Sequence, residues 1–192
     1  MAIQTSKLRI MEETMSNKLT YGASVFDFDE TVGFSENVVY ASKNDNITKI
    51  TSDKWPIVGE KMMNEGWEMD FTDFNKITNG TPGPLIQKLK NQINKYGNDQ
   101  VYILTARHSD SEKAIYKWLL TQNIKLKLEN IVGLGRSTGE AKAKWIQKNL
   151  ITLGVNDIYF VDDAFSNVKA VKEMFKEYPK GFLIKGKSII TK

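Results

Sequence analysis

"VFDFDET", residues 25–31, runs from two apolar residues into three acids within four positions. Asp27 and Asp29 are two apart, so on an extended chain their side chains share one face while Phe28 turns to the other, toward a core. A plain solvated turn has no use for that alternation. Two carboxylates ~4 Å apart repel by about 1 kcal/mol in bulk water and about 4 kcal/mol at the effective dielectric near a protein. Three acids so close therefore leave a solvated turn, a bound cation or chemistry as explanations.

The surroundings of this stretch suggest the fold. Downstream, apolar runs alternate with helical patterns. "PGPLIQKLKNQINKYG" carries Pro84 near a helix start, Leu85, Leu89, Ile93 and Tyr96 on one face, and Gly97 as a stop. "QVYILTAR" reads as a buried strand. "SDSEKAIYKWLLTQN" predicts a helix opened by a Ser109/Glu112 capping box, with Ile115, Trp118 and Leu119 inward. "NIVGLG" is a strand, "STGEAKAKWIQKNLI" a helix with a Ser137/Glu140 box, "DIYFVDD" a strand, "AFSNVKAVKEMFKEY" a helix and "GFLIK" a last strand. Strands alternating with helices predict an α/β fold with a doubly wound, mostly parallel sheet.

Residues 33–83 break the rhythm. "NVVYASKNDNITKITS" reads as a hairpin turning at Asn44, Asp45 and Asn46, and residues 53–83 are rich in aromatics and turn formers with no long helical period. The expected organisation is an N-terminal arm over 1–18, a core over 19–32 and 84–192, and a small hairpin-containing cap insert over 33–83. The cap is expected over the sheet's carboxyl edge, where open α/β folds keep their sites.

Composition narrows the chemistry. The chain has 192 residues, no cysteine and one histidine, His108. Disulfides, thiolate catalysis, zinc–thiolate sites and multi-histidine metal sites are excluded together. A metal here would be held by oxygen, which favours Mg²⁺. The net charge of +4 is a mild bias toward anionic partners. With no long apolar run and no apolar leader, the expectations are no membrane span, a cytoplasmic location and no obligate protein partner.

Four features fall at predicted strand ends or the start of the next helix: the acids of 27–30, Thr105, Lys142 and the pair Asp162-Asp163. In a parallel sheet these ends share one edge. Thr105 alone is unremarkable, and one of Asp162 and Asp163 suffices as a helix cap, leaving the other over. Spacings of three and four put Lys142 on the face of Trp145 and Ile146, whereas Lys144 joins Gln147 and Lys148 on a solvent face. Lys142 is therefore the lysine expected at the edge. Acids gathered there call for a hard divalent cation, and the cluster points to metal-assisted phosphoryl chemistry.

"DFDET", "ILTAR", a helix lysine and "FVDD", in that order, resemble the four motifs of the haloacid dehalogenase (HAD) superfamily, over residues 22–33 and about 84–186. The resemblance implies that the first strand is central, flanked by the strands ending "FVDD" and "LTAR". It implies that Asp27 is a nucleophile forming an aspartyl-phosphate and Asp29 a general acid, then base. It assigns phosphate and substrate contacts to Thr31, Thr105, Ala106 and Arg107, and steadying of the nucleophile to Lys142. It assigns Mg²⁺ to Asp27, Asp162, the main-chain oxygen of Asp29, and Asp163 beside them. An acid at Asp29 favours phosphate-ester hydrolysis over dehalogenation. "LTAR" is similar to nucleotidases and to the phosphatase domain of polynucleotide kinases, and the whole chain to small HAD proteins of bacteriophages.

The expected function is thus a Mg²⁺-dependent phosphatase for a nucleotide or nucleic-acid phosphate end. The alternatives are a sugar or small-metabolite phosphatase or phosphotransferase, and a non-catalytic binding module. Arg107 would contact a second substrate anion or face solvent. Trp55, Trp67 and Phe71 would stack a base or form the insert's own small core. Asp70 and Asp73 in "DFTDF" would cap a turn, with Phe71 and Phe74 packing the insert onto the core.

Overall fold

The computed structural model describes residues 21–176 and 178. The arm over 1–18 and the strand expected at 181–185 lie outside the described residues. In chain order the elements are β1 (Gly22–Phe26), β2 (Gly33–Phe34), β3 (Val38–Lys43), β4 (Asn46–Thr51), α1 (Trp55–Asn64), β5 (Glu68–Asp70), β6 (Thr81–Pro82), α2 (Ile86–Tyr96), β7 (Val101–Thr105), α3 (Glu112–Thr121), β8 (Ile131–Gly133), α4 (Gly139–Asn149), β9 (Asp157–Val161) and α5 (Phe165–Lys176).

Four strands make a parallel sheet in the order β8-β7-β1-β9. β1 lies between β7 and β9, as expected. Alternate residues of each strand serve opposite faces, and both faces are covered. Phe26 and Ile103 pack against Leu89 of α2 and Ile115, Trp118 and Leu119 of α3. Val25, Leu104, Ile158 and Phe160 pack against Ala143 and Ile146 of α4 and Val168 and Val171 of α5. The result is a three-layer α/β/α core with all four strands ending on one edge.

The chain leaves and re-enters this core through a short antiparallel stem, β2 against β6, pairing Gly33 with Pro82 and Phe34 with Thr81. Between them lies a three-stranded antiparallel sheet, β4-β3-β5, with the expected hairpin at its heart. Asn44 turns it in the left-handed region, φ 51°, which Asn tolerates. Asn46 is already in β4.

Several local expectations are corrected. Residues 53–83 contain a ten-residue helix, α1. Trp55, Val58 and Met62 line one side of it and pack on Val39, Ala41 and Ile50 of the hairpin. Gly59 lets the Trp55 ring lie against the helix, because a Cβ there would sit 2.7 Å from that ring. Neither capping box forms. α3 is entered through a 3-10 turn over Ser109–Ser111, and Glu112 Oε1 instead accepts the Gly133 N–H at 3.0 Å, tying α3 to β8. α4 is capped by Thr138, whose hydroxyl accepts the Ala141 N–H at 3.3 Å. Gly97 ends α2 at φ 80°, as expected, but Tyr96 is 56% exposed and stands off the core face.

Candidate active site

Each acid of the site follows a buried strand. β1 delivers Asp27 and β9 delivers Asp162; the Asp27 N–H bonds to the Val161 carbonyl at 2.9 Å, which locks the two strand ends together. The chain then folds back: the Phe28 carbonyl accepts the N–H groups of Thr31, Val32 and Gly33 at 3.3, 2.9 and 3.0 Å. This turn forces Glu30 to φ 58°, a conformation that costs a glutamate on the order of 1 kcal/mol. Phe28 is fully buried, as its alternation with the two aspartates implied.

Lys142 lies on the inward face of α4, 1% exposed, with Ile146 beside it and Lys144 in solvent. Its Nζ donates to Asp27 Oδ1 at 2.5 Å and to Asp162 Oδ2 at 2.6 Å. Burial opposes the ammonium charge, but the contacts with Asp27 and Asp162 outweigh it and push the lysine pKa up. Asp162 Oδ1 accepts the Ala164 N–H and Asn167 Nδ2, each at 2.9 Å. Asp162 therefore serves as the helix-start acceptor and as a partner of Lys142 at once. Asp163 is the residue left over. Oxygens of Asp27, Asp162 and Asp163 all lie within 4.8 Å of one another.

The electrostatics of the trio are unbalanced. Burial pushes the Asp27 carboxyl well above its ordinary range; Lys142 opposes this, and Asp162, Asp29 and Asp163 add to it. Asp163 is pushed up to about 6, by burial first and then by Asp162 and Glu30. An oxygen-only donor set with surplus negative charge fits a hard divalent cation. Two buried polar atoms nearby have no partner among the described residues: Thr31 Oγ1, in the turn after Asp27, and Asn167 Oδ1, beside Asp162.

Asp29 lies apart from the trio. Its carboxylate takes a two-pronged ion pair from Arg107, with Nε to Oδ2 at 2.9 Å and Nη2 to Oδ1 at 2.6 Å. Arg107 is buried, so the solvent-facing alternative is excluded. Thr105 is 1% exposed at the end of β7, and its hydroxyl accepts the Arg107 N–H at 3.2 Å. His108 is exposed and pairs with Asp110 at 3.2 Å.

A cavity of about 820 Å³ opens between the insert and the loops after β7 and β8. Trp55, Met69, Phe71 and Phe74 wall it on the insert side; Ala106, Arg107, Arg136 and Thr138 are among its core-side residues. Asp27, Lys142 and Asp162 do not line it; it adjoins them through Ala106, next to Thr105, and Thr138, one helical turn before Lys142. Trp67 packs into the insert's small core, away from the cavity lining. Trp55 joins that core too and meets Phe71 edge-to-face, ring centres 4.9 Å apart. Phe71 remains 43% exposed.

The two acids of "DFTDF" each accept a backbone N–H. Asp70 Oδ1 accepts the Thr72 N–H at 2.8 Å, and Asp73 Oδ2 accepts the Val38 N–H at 3.0 Å. The Phe74 ring lies 4.7 Å from the Arg107 guanidinium carbon. Three residues of these networks carry no clear motif signal in the sequence: Asn167, Ser35, whose hydroxyl accepts from Arg107 Nη2 at 2.7 Å, and Asn37, whose Nδ2 donates to the Asp73 carbonyl at 2.7 Å. Asn167 alone offers a faint one, an amide in the first turn of the helix that follows Asp162.

Comparison with models of known protein families found no match, and comparison with curated proteins found none. Among the described residues no helix is long and apolar enough to cross a membrane.

Proposed function

We propose that the chain is a Mg²⁺-dependent phosphatase of the haloacid dehalogenase type, acting on the phosphate monoester of a nucleotide or nucleic-acid end. The observation that carries this reading is Lys142 bridging Asp27 and Asp162, two acids 135 positions apart in sequence, with Asp163 alongside. A carboxylate nucleophile needs a cation to approach an anionic ester, and Lys142 supplies one at the nucleophile itself.

In the first step an Asp27 carboxylate oxygen attacks phosphorus, the bond to the leaving oxygen breaks, and Asp29, entering the step protonated on the side that Arg107 leaves open, gives that oxygen its proton. In the second, Asp29 takes a proton from water, whose oxygen attacks the aspartyl-phosphate. Phosphate leaves and the Asp27 carboxylate is restored. Thr31, Thr105 and the two amides directly after Asp27, those of Phe28 and Asp29, hold phosphoryl oxygens; the unpartnered Thr31 hydroxyl suits that task. Mg²⁺, held by Asp27, Asp162, Asp163 and the main-chain oxygen of Asp29, would offset charge on the phosphoryl group. The cavity supports an aromatic leaving group: Phe71 offers an open ring and Arg136 an exposed cation at the rim.

The test is a panel of phosphate esters with and without Mg²⁺, including nucleotides and 3′- and 5′-phosphorylated oligonucleotides. We expect Mg²⁺-dependent phosphate release with nucleotides or oligonucleotide ends preferred, and a loss of at least about 10³-fold in Asp27→Asn. No release from any ester would overturn the reading, and a preference for sugar phosphates would overturn its substrate class.

A further inference from the structure

A guanidinium has five N–H donors. In Arg107 all five are engaged. Nε and one Nη2 hydrogen go to Asp29, the other Nη2 hydrogen goes to Ser35 Oγ at 2.7 Å, and the two on Nη1 go to the carbonyls of Phe74 at 3.0 Å and Lys76 at 3.1 Å. The cation also lies over the Phe28 and Phe74 rings, at 5.3 and 4.7 Å. No donor is left for a second anion on a substrate. Three stretches of chain meet at this one group: the turn after Asp27, the insert over 74–76 and the end of β7.

The two partners differ in exposure. The Arg107 side chain is 2% exposed and that of Asp29 25%. The arginine therefore grips the carboxylate from the buried side and leaves its other side open. A carboxylate offers about four lone-pair positions, of which Arg107 takes two. An arginine that only fastened the insert would need the two carbonyls and no two-pronged acid.

We infer that Arg107 is a positioning residue: it orients the Asp29 carboxyl group, whose open side gives and takes the proton, and ties that setting to the docked insert. This rests on the reading of Asp29 as the proton-transfer group. The experiment compares wild type, Arg107→Ala, Arg107→Lys, Asp29→Asn and the Asp29→Asn/Arg107→Ala double variant on esters of falling leaving-group quality, from para-nitrophenyl through phenyl to alkyl phosphate. An activated leaving group departs with little need of a proton, and a poor one depends on it. Arg107→Ala should lose about 10²-fold in kcat on phenyl and alkyl phosphate and under about tenfold on the nitrophenyl ester, with KM little changed. Arg107→Lys, folded but without the fork, should share that pattern. The double variant should be no worse than Asp29→Asn. Equal losses on all esters, or losses that multiply in the double variant, would overturn the inference.

Hydrogen exchange over residues 71–78 gives a second readout that needs no turnover. Asp29→Asn should speed exchange there, because the acid is tied to the insert through Arg107; unchanged exchange would overturn the coupling. If wild type cleaves no ester, the functional reading fails by itself, and this readout still decides whether Asp29 and the insert are joined.

Discussion

Asp27 and Asp29 are separated by a single phenylalanine, yet each meets a different cation in a different kind of setting. Around Asp27, three carboxylates face one ammonium, an excess of two negative charges when all ionise. Around Asp29, one carboxylate faces one guanidinium whose every donor is engaged. The second network is complete; the first lacks positive charge. A saturated arginine holds the acid it pairs with in place, whereas an unbalanced buried cluster calls for a charged ligand.

The sharpest way to break this comparison is to remove the shared cation. Lys142→Met keeps the bulk and removes the charge. Breaking a buried pair costs about 3–5 kcal/mol, and here two partners lose it at once. Urea unfolding should show a loss in that range; a change under about 1 kcal/mol would mean that Lys142 does not hold the cluster together. The corresponding loss at Arg107 should fall mainly on the insert and on poor leaving groups, as set out above.

A smaller effect follows from Asp163. Its carboxyl is raised to about 6, chiefly by burial. A raised carboxyl contributes stability fully below the ordinary aspartate range and loses it as pH climbs through about 6. In EDTA, Asp163→Asn should therefore be more stable than wild type at pH about 8, by roughly 1 kcal/mol once its partial exposure is allowed for. The advantage should vanish at pH about 4. An advantage equal at both would show that the charge of Asp163 is not what the cluster resists.

The core and the unbalanced cluster were largely legible in the sequence, for a physical reason. Strands buried on both faces must be continuous apolar runs, so the acids that end them stand out, and parallel pairing brings those ends together. Lys142 was separable from Lys144 because helix periodicity assigns faces. The balanced network was not legible. Arg107 meets an aspartate 78 positions away and two backbone carbonyls, and carbonyls leave no trace in residue identity. α1 was missed because Pro56 and Gly59 read as turn formers. A proline is tolerated in a first helical turn, and Gly59 makes room for the Trp55 ring. The Ser109/Glu112 box failed because the glutamate found a tertiary partner in Gly133, which local spacing cannot foresee.

The trio of acids is short of positive charge, and a hard dication would balance it. Titrating Mg²⁺ into metal-stripped protein by calorimetry tests this most directly. Wild type should show saturable one-site binding that is abolished in Asp162→Asn and retained in Arg107→Lys. Absence of binding in wild type, or binding that survives Asp162→Asn unchanged, would contradict it.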